Sequence, residues 1–361
     1  MDEQQRPSEW RVMGETVPGA SHLRAGVPNQ DAIVQVRESG RGLPVVVSVS
    51  DGHGSDKCFR SDRGSRFAVK GAARLVGEFI DESRGAENHA GLESRAAEYL
   101  PREFVRRWRE AVEADLKVRP FTAAELETVE KKDGARGREL VEENPLLAYG
   151  ATSLTVAVTE SFALYLQLGD GEILNVSEAG EVTGVLSEDK RLFANETTSL
   201  CTRDAESNFR VRLQQFAGEL PALILLSTDG YVNSFSDSAG FFKVGSDLLE
   251  MLRADGFDAI NASIKGWLEE ATRSGSGDDC TLGLIVRMDA LTRTGAKPAA
   301  ADAVKTDEGL AASATEPAEA AEATAELEAA AGDAPARPQE PAAPARPDEQ
   351  AAATKPDGQG A

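Results

Sequence analysis

Cysteine is scarce in this sequence and never closely spaced. The three cysteines, Cys58, Cys201 and Cys280, lie far apart and form no CxxC motif. An odd number of separated cysteines argues against a disulfide framework. Together with an N-terminus that lacks a signal peptide pattern, it predicts reduced thiols in a cytoplasmic protein. The simplest role for these residues is as small buried side chains.

Long hydrophobic runs and excess positive charge are also missing. No apolar stretch approaches the roughly 18 residues that a membrane-spanning helix needs. The formal net charge is −22, from 61 acidic and 39 basic residues. Sequence-independent binding to nucleic acid depends on neutralising phosphates, and docking on anionic membranes needs basic residues. We therefore expect neither nucleic acid nor membrane as a partner.

The C-terminal fifth of the chain lacks aromatic residues, isoleucine and cysteine. From Leu291 to Ala361 it consists mostly of Ala, Pro, Glu, Asp and Gly. Such a segment buries too little apolar surface to offset its chain entropy, which predicts disorder. We therefore divide the chain into a folded domain, residues 1–290, and an acidic tail, residues 291–361.

Apolar spacing within the folded part changes period several times. Strand-like runs at DAIVQV and LPVVVSVS flank a Gly/Pro turn and predict a hairpin. Helical spacing follows from Phe59 to Ile80 and from Leu92 to Leu116, with Pro101 expected to open a new helix after a break. A polar helix at TAAELETVEKKD and a glycine-containing connector come next.

The sequence is rich in strands from Tyr149 onward. SLTVAVT, FALYLQL and EILNVSE are separated by TES and GDG, both short enough for hairpin turns. Later strands are predicted at FRVRLQQF, ALILLST and TLGLIVR, with helices near SDLLEMLRADG and FDAINASIKGWLEEATRS. This order favours an α+β sandwich of antiparallel sheets with helices outside, rather than a doubly wound parallel sheet.

Five aspartates stand beside strand-like runs: Asp31, Asp51, Asp170, Asp229 and Asp278. In antiparallel neighbours, the C-terminal end of one strand lies beside the N-terminal end of the next. Carboxylates that open some strands and close others can therefore gather at one edge of a sheet. Clustered carboxylates repel one another unless a cation lies between them, and oxygen ligands suit Mg²⁺, Mn²⁺ or Ca²⁺. The pattern predicts a hard-metal enzyme.

Several ordered segments carry a family resemblance, although each alone is weak and DGHG by itself could be only a turn. The segments are NQDA at 29–32, VSDGHG at 49–54, YGATSL at 149–154, QLGDGEIL at 167–174, LLSTDGYVNSF at 225–235 and GSGDDCTLGLIV at 275–286. In this order they resemble the metal-dependent protein serine/threonine phosphatases of the 2C type. A GxxSH…PNQD opening and a NETTSL segment at 195–200 resemble a bacterial subgroup of that family.

The resemblance implies an αββα sandwich with two or three Mn²⁺ or Mg²⁺ ions at one end of the sheets. By position, Asp51 resembles the carboxylate that bridges two metals, and Gly52 resembles a residue that lends its backbone carbonyl. Asp229 and Asp278 resemble ligands of one metal.

Two further aspartates resemble outer positions of the same centre. Asp31 resembles a residue that holds a metal through water, and Asp170 resembles the acid linked to a third, weaker metal together with Asp229. Asp279 stands where the family often has Asn, so we do not assign it as a ligand.

The implied reaction is hydrolysis of phosphoserine or phosphothreonine by a metal-activated water, with no cysteine or serine nucleophile. A two-metal site lowers the pKa of water and neutralises phosphoryl oxygens. The leaving alkoxide needs a proton, and His53 is placed to give one or to support the metal site. Phosphorylated proteins and a cognate Ser/Thr kinase are the partners that this implies.

One position departs from the family pattern. The better-known branch carries a phosphate-binding Arg five residues before Asp31, where this sequence has Gly26. His22 and Arg24 are nearby and could donate to the phosphate instead, since a guanidinium suits that task. Arg24 could equally be an ordinary exposed residue.

Other readings stay open on the sequence alone. The missing Arg is compatible with a catalytically weak member that acts as a regulatory or phosphoprotein-binding module, and a small phosphorylated metabolite is a third substrate class. The polar stretch from Gly184 to Arg210 is either a substrate-selecting flap or a plain connecting loop.

Overall fold

Ten strands and eight α-helices make up the described part of the chain. The computed structural model describes residues 9–37, 42–83, 89–186, 198–216 and 218–292. The strands are β1 Trp10–Val17, β2 Ala32–Arg37, β3 Val45–Ser50, β4 Ser153–Val158, β5 Phe162–Leu168, β6 Glu172–Val176, β7 Val182–Gly184, β8 Arg210–Gln215, β9 Leu223–Ser227 and β10 Cys280–Arg287. The helices are α1 Ala20–Ala25, α2 Ser61–Glu82, α3 His89–Val118, α4 Ala123–Glu143, α5 Asp229–Val232, α6 Ser238–Asp255, α7 Phe257–Ser274 and α8 Asp289–Thr292.

The strands form two five-stranded antiparallel sheets. The first sheet has the order β1-β10-β9-β6-β7, and the second has the order β2-β3-β4-β5-β8. The predicted hairpin of β2 and β3 is confirmed, with Ala32 opposite Ser50, and so is the β4–β5 hairpin, with Val158 opposite Ala163. β4 and β5 are joined by only three residues, 159–161, which is short enough for a hairpin turn.

The two sheets stack face to face because their strands are apolar on both faces. In β3, Val45, Val47 and Val49 join the core between the sheets, whereas Val46 faces the helical layer. That alternation is the two-residue period of a strand, and every residue of β3 is buried. A strand covered on both sides reads as a continuous apolar run, as VVVSVS does.

Helices cover the outer face of each sheet. α2 and α3 pack on the second sheet through side chains such as Leu75, Phe79 and Trp108. α6 and α7 pack on the first sheet through side chains such as Leu249 and Ile264. The predicted α+β class and αββα sandwich are therefore confirmed.

Pro101 does not break the helix in which it lies. α3 runs without interruption from His89 to Val118 with Pro101 inside it, so the predicted new helix after a break is wrong. Proline removes one backbone hydrogen bond from a helix interior. α3 has a long apolar face on which Leu100 and Phe104 are fully buried. The packing of this face compensates for the missing hydrogen bond.

The GDG segment does not form a hairpin turn. β5 belongs to the second sheet and β6 to the first, so residues 169–171 carry the chain across the sandwich. A short loop between two strands fits either geometry, and only the layer packing selects one. The crossing is relevant to function because it contains Asp170.

Several smaller elements also differ from the sequence expectations. The elements β1, β7, α1, α5 and α8 were not predicted, and the connector expected after Asp133 is helical, since α4 continues to Glu143 with a kink at Gly134. The predicted tail lies outside the described residues from 293 onward, and α8 covers Leu291 and Thr292. Over the described ranges, no helix has both the length and the apolar character to cross a membrane.

Candidate functional site

The pairing of the strands brings the five aspartates to one end of the sandwich. Asp31 directly precedes β2 and Asp51 directly follows β3, which is its antiparallel neighbour. Asp229 follows β9, and Asp278 precedes β10, the strand paired with β9. Asp170 lies on the crossing that leads into β6, where Glu172 is opposite Ser227 of β9. Both sheets therefore contribute carboxylates to the same edge.

Three of these carboxylates converge closely. Oxygens of Asp51, Asp170 and Asp229 all lie within 4.8 Å of one another. Asp51 is held by its backbone, since its N–H donates to Thr152 Oγ1 at 3.0 Å and its carbonyl accepts from the Thr152 N–H at 2.8 Å. Gly52 next to it has no room for a side chain, because an added Cβ would lie 2.6 Å from the Gln30 carbonyl oxygen.

The convergence makes the ionised carboxylates costly. Burial, followed by the charges of neighbouring aspartates, raises the pKa of Asp51 well above its usual value. Burial and the charges of Asp170 and Asp278 raise the pKa of Asp229 to about 7. Desolvation and like charges both oppose ionisation, so the site favours a bound cation or bound protons.

Asp31 is buried behind this cluster and anchored by two hydroxyl groups. Its Oδ2 accepts hydrogen bonds from Thr228 Oγ1 at 2.8 Å and from Thr281 Oγ1 at 2.6 Å. Burial raises the pKa of Asp31 to about 8, although the Thr281 hydrogen bond acts in the opposite direction. One oxygen of Asp31 is thus occupied within the protein, which is compatible with an indirect contact to a metal.

Asp278 and Asp279 have different surroundings although they are adjacent. The Asp278 side chain is 54% exposed, whereas Asp279 is buried and accepts the N–H groups of Gly19 and Gln30, each at 2.6 Å. Asp279 therefore ties the loop before α1 and the loop before β2 to the start of β10. Both of its oxygens accept backbone N–H groups, although ligand atoms of Asp279, Asp278 and His22 also lie within 4.8 Å of one another, so the omission of Asp279 from the ligands stays a prediction.

His22 faces this aspartate pair. Its Nδ1 lies 2.9 Å from Asp279 Oδ1 and its Nε2 lies 3.6 Å from Asp278 Oδ1. Arg24 is exposed, and no ion pair links its side chain to another residue in the described part of the chain. The structure thus places His22 within the acidic site and Arg24 at its surface, and the phosphate-binding role of either residue stays a prediction.

Gly26 has a structural reason to be glycine. It ends α1 in the left-handed conformation, with φ 69° and ψ 25°, and its N–H returns to carbonyls of that helix. Glycine is the preferred residue at such a helix end because it has no Cβ to clash. An arginine at position 26 would be strained by the backbone, although space is open around it.

His53 sits half-buried on the loop after Asp51. Its N–H donates to the Gly150 carbonyl at 3.1 Å, and an added Cβ at Gly150 would lie 2.7 Å from His53 Cδ2. Burial lowers the pKa of His53, and the nearby charge of Asp170 opposes that shift. The backbone of His53 is therefore held by Gly150, and its imidazole packs against the same glycine.

Sequence reasoning missed the hydroxyl groups that hold the aspartates. Thr228 immediately precedes Asp229, Thr281 follows Asp279 by two positions, and Thr152 lies within YGATSL. All three contact a site aspartate through the hydrogen bonds given above. Their nearness to the acidic positions was the available signal, but a threonine beside a strand end is too common to single out.

A family comparison decides the relationship. The model of the protein phosphatase 2C family matches residues 18–269, which is well over half of the chain and includes four of the five site aspartates. The chain belongs to the protein phosphatase 2C family. The match ends before Asp278, but β10 completes the same sheet. The family and the fold together support a metal-dependent phosphatase.

Solved structures resemble the fold of this family member. The catalytic domain of the serine threonine protein phosphatase PstP, in complex with two manganese ions, is 16% identical over 77% of this chain and 98% of that chain, with a TM-score of 0.44. PppA of Pseudomonas aeruginosa, described as a key regulatory component of T6SS, is 18% identical over 77% and 98%, with a TM-score of 0.45. Stp1 of Staphylococcus aureus, a serine/threonine phosphatase, is 15% identical over 79% and 99%, with a TM-score of 0.43.

At these identities and TM-scores the solved structures carry no functional argument for this chain. No curated protein sequence matches it significantly. Support for a function of this chain therefore comes from its family and from the site itself.

The residues present fit a hard divalent cation. Asp51, Asp170 and Asp229 offer only carboxylate oxygens, the ligands that Mg²⁺ and Mn²⁺ accept, and their oxygens converge within 4.8 Å. Burial, followed by the like charges of neighbouring aspartates, raises the pKa values of Asp51 and Asp229, so ionising the cluster is costly without a cation. A bound cation would remove that repulsion.

Metal-free protein is expected to lose stability as the pH rises from about 4 to about 8. The folded-state pKa values of Asp31, about 8, and Asp229, about 7, exceed the ordinary value of 3.8. The folded chain therefore retains protons that the unfolded chain releases, and the free energy of unfolding falls by about 1.4 kcal/mol per pH unit for each such group until its folded pKa is passed. His53, whose pKa is lowered, acts in the opposite direction only below neutrality.

Thermal unfolding in a chelator tests this expectation. From about pH 7 to about pH 8.5 the Tm should fall by at least about 3 °C, and saturating Mn²⁺ should remove most of that fall. Asp31→Asn should remove most of this fall in the absence of metal, because the folded pKa of Asp31, about 8, lies within the range, whereas that of Asp229, about 7, lies at its lower limit. A Tm that is independent of pH over this range, or that rises, would contradict the electrostatic description of the site.

Proposed function

We propose that this chain hydrolyses phosphoserine or phosphothreonine in proteins with the help of divalent metal ions. The observation that carries the proposal is the convergence of carboxylate oxygens of Asp51, Asp170 and Asp229 from both sheets within 4.8 Å. Family membership over residues 18–269 supports the same reaction class.

The proposed roles follow the surroundings of each residue. Asp51 is central to the cluster and would bridge two ions, with the Gly52 carbonyl beside it. Asp229 and Asp278 would bind one ion directly. Asp170 would hold a further, weaker ion together with Asp229, and Asp31 would act through water because its Oδ2 already accepts two hydroxyl groups.

Bound Mn²⁺ or Mg²⁺ would supply electrostatic stabilisation of the phosphoryl oxygens and a lowered pKa for a water molecule. The chain itself supplies positioning and proton transfer. His53 is fixed by the Gly150 carbonyl beside the carboxylates, and we assign it to proton donation toward the leaving oxygen of serine or threonine. His22 lies beside Asp278 and Asp279 and is our first candidate for a contact to the phosphate. Arg24, which is exposed, is the second candidate.

The finer assignments belong to the same proposal. They comprise the choice of Mn²⁺ or Mg²⁺, a phosphoprotein substrate, a cognate Ser/Thr kinase, a cytoplasmic location and the division into a phosphatase domain, residues 1–290, and a tail. The strongly acidic composition also argues against phosphate-rich partners such as nucleic acid.

A metal-supplemented hydrolysis assay tests the proposal. Purified full-length chain should hydrolyse p-nitrophenyl phosphate and phosphoserine or phosphothreonine peptides when Mn²⁺ or Mg²⁺ is added. A chelator should stop the reaction, and serine- or cysteine-directed inhibitors should not. Folded protein that shows no hydrolysis with either metal would contradict the proposal. A panel of small phosphorylated metabolites, tested in parallel, distinguishes a metabolite phosphatase.

One observation favours a second candidate, a regulatory module with little turnover. Gly26 ends α1 in a left-handed conformation, so the family's phosphate-binding arginine is replaced by a residue that the backbone requires. Calorimetric titration separates the two functions. Tight Mn²⁺ binding with negligible hydrolysis of all substrates would identify the module, whereas binding with turnover identifies the enzyme.

A further inference from the structure

The turn before Asp170 is fixed through the backbone of Gly169. Gly169 has φ 110°, and an added Cβ would lie 2.6 Å from Thr152 Cβ, so this position requires glycine. Its N–H donates to Thr198 Oγ1 at 2.9 Å, and its carbonyl accepts from Arg210 Nη2 at 3.2 Å. The residue that sets the direction of Asp170 is therefore held on both sides by the chain segment around 198–210.

The same segment also contacts the support of Asp51. The Leu200 N–H donates to the Ala151 carbonyl at 3.0 Å, and Ser199 Oγ donates to the same carbonyl at 3.3 Å. Ala151 adjoins Thr152, whose hydroxyl accepts the Asp51 N–H. The three consecutive residues 198–200 thus link the turn that carries Asp170 to Ala151, which is next to the residue that holds Asp51.

We infer that Thr198 is a positioning residue that sets Asp170 against Asp51 and so controls the affinity of the site for metal. The inference rests on the proposed metal-dependent function. Thr198 acts through one hydrogen bond, in which its hydroxyl oxygen accepts the Gly169 N–H. Without that acceptor the glycine amide is left unsatisfied, and the turn gains freedom to rotate the Asp170 carboxylate away from Asp51 and Asp229.

The chain offers matched variants for this hydrogen bond. Thr198→Val keeps the shape and removes the acceptor, whereas Thr198→Ser keeps the acceptor and removes a methyl group. Thr202→Val is the control, because Thr202 lies in the same segment and, among the described residues, its hydroxyl donates only to the Ser199 carbonyl, at 2.8 Å. Thermal unfolding of each metal-free variant verifies that it is folded.

The measurement is Mn²⁺ binding to each full-length variant, followed by the electron paramagnetic resonance signal of free Mn²⁺ without substrate. Thr198→Val should weaken the binding of at least one ion by about tenfold or more, the range typical for groups that orient metal ligands. Thr198→Ser and Thr202→Val should remain close to wild type. The Mn²⁺ concentration for half-maximal hydrolysis should shift in parallel.

A double mutant shows whether Thr198 acts through Asp170. In an Asp170→Asn background, Thr198→Val should cause little additional loss of Mn²⁺ binding, because the residue that it positions has already lost its charge. The inference is overturned if Thr198→Val binds Mn²⁺ as Thr202→Val does, or if its full loss persists in the Asp170→Asn background, and either result leaves the proposed function intact. Wild-type protein that binds no Mn²⁺ overturns both.

Discussion

Asp51→Asn is expected to abolish metal-dependent hydrolysis, and Asp229→Asn should do the same. Each removes one of the three carboxylates whose oxygens converge within 4.8 Å. An amide keeps the shape of the side chain but lacks the charge that a divalent cation requires. Residues that only orient metal ligands cost 10–100-fold when mutated, so losing a ligand should reduce the rate by at least about 100-fold.

The same variants should remain folded, because removing a charge from a crowded carboxylate cluster relieves repulsion. Their metal-free Tm should equal or exceed that of the wild type at neutral pH. Asp255→Asn is the matched control, since Asp255 is an exposed acid at the end of α6. A near-normal rate in Asp51→Asn or Asp229→Asn would show that the site is assigned to the wrong residues.

Arg60→Met is expected to lower the free energy of unfolding more than any other substitution named for this protein. Arg60 is 6% exposed and donates to both carboxylate oxygens of Glu125, at 2.8 and 2.9 Å, and to the Tyr149 hydroxyl at 2.9 Å. It also donates to the carbonyls of Arg119 and Pro120. The substitution keeps much of the volume but leaves these acceptors unsatisfied.

Breaking a buried ion pair by removing one partner costs about 3–5 kcal/mol, and Glu125 is partly exposed, so we expect a value near 3 kcal/mol. The Tm should fall by about 6–12 °C. Arg74→Met is the control, because Arg74 is 80% exposed and its one ion pair within the described residues is with Glu78 on its own helix. Urea unfolding of both variants measures the difference, and equal losses would contradict the buried role of Arg60.

Arg60 also links stability to the site. It contacts Tyr149, whose hydroxyl donates to the buried Asp115 at 2.7 Å, and Tyr149 directly precedes Gly150, the residue that receives the His53 N–H. The segment YGATSL thus connects two parts of the molecule. Tyr149 belongs to the hydrogen-bond network of Arg60 and Asp115, and Gly150 contacts His53 of the candidate site. The sequence marked the segment, but nothing in it indicated Arg60 as the partner.

Much of the architecture could be predicted because its elements are locally specified. VVVSVS reads as a strand buried on both faces, and FDAINASIKGWLEEATRS has helical spacing over the whole length of α7. The elements that escaped prediction depend on their surroundings. Pro101 is tolerated because α3 is buried along an entire face, and the short α1 exists where Asp279 accepts the Gly19 N–H just before it.

The sequence by itself determined which aspartates gather at one end of the sandwich. The position of an aspartate beside a strand-like run was enough to select Asp31, Asp51, Asp170, Asp229 and Asp278. Both the residue type and the strand pattern can be seen in a short stretch of sequence. Tertiary structure alone decided how these residues differ. Whether residues 169–171 turn back or cross to the other sheet depends on layer packing, and that crossing places Asp170 beside Asp51 and Asp229. Burial and hydrogen bonds from distant threonines set the ionisation of Asp31, because the electrostatic environment of a carboxylate depends on neighbours far away along the chain.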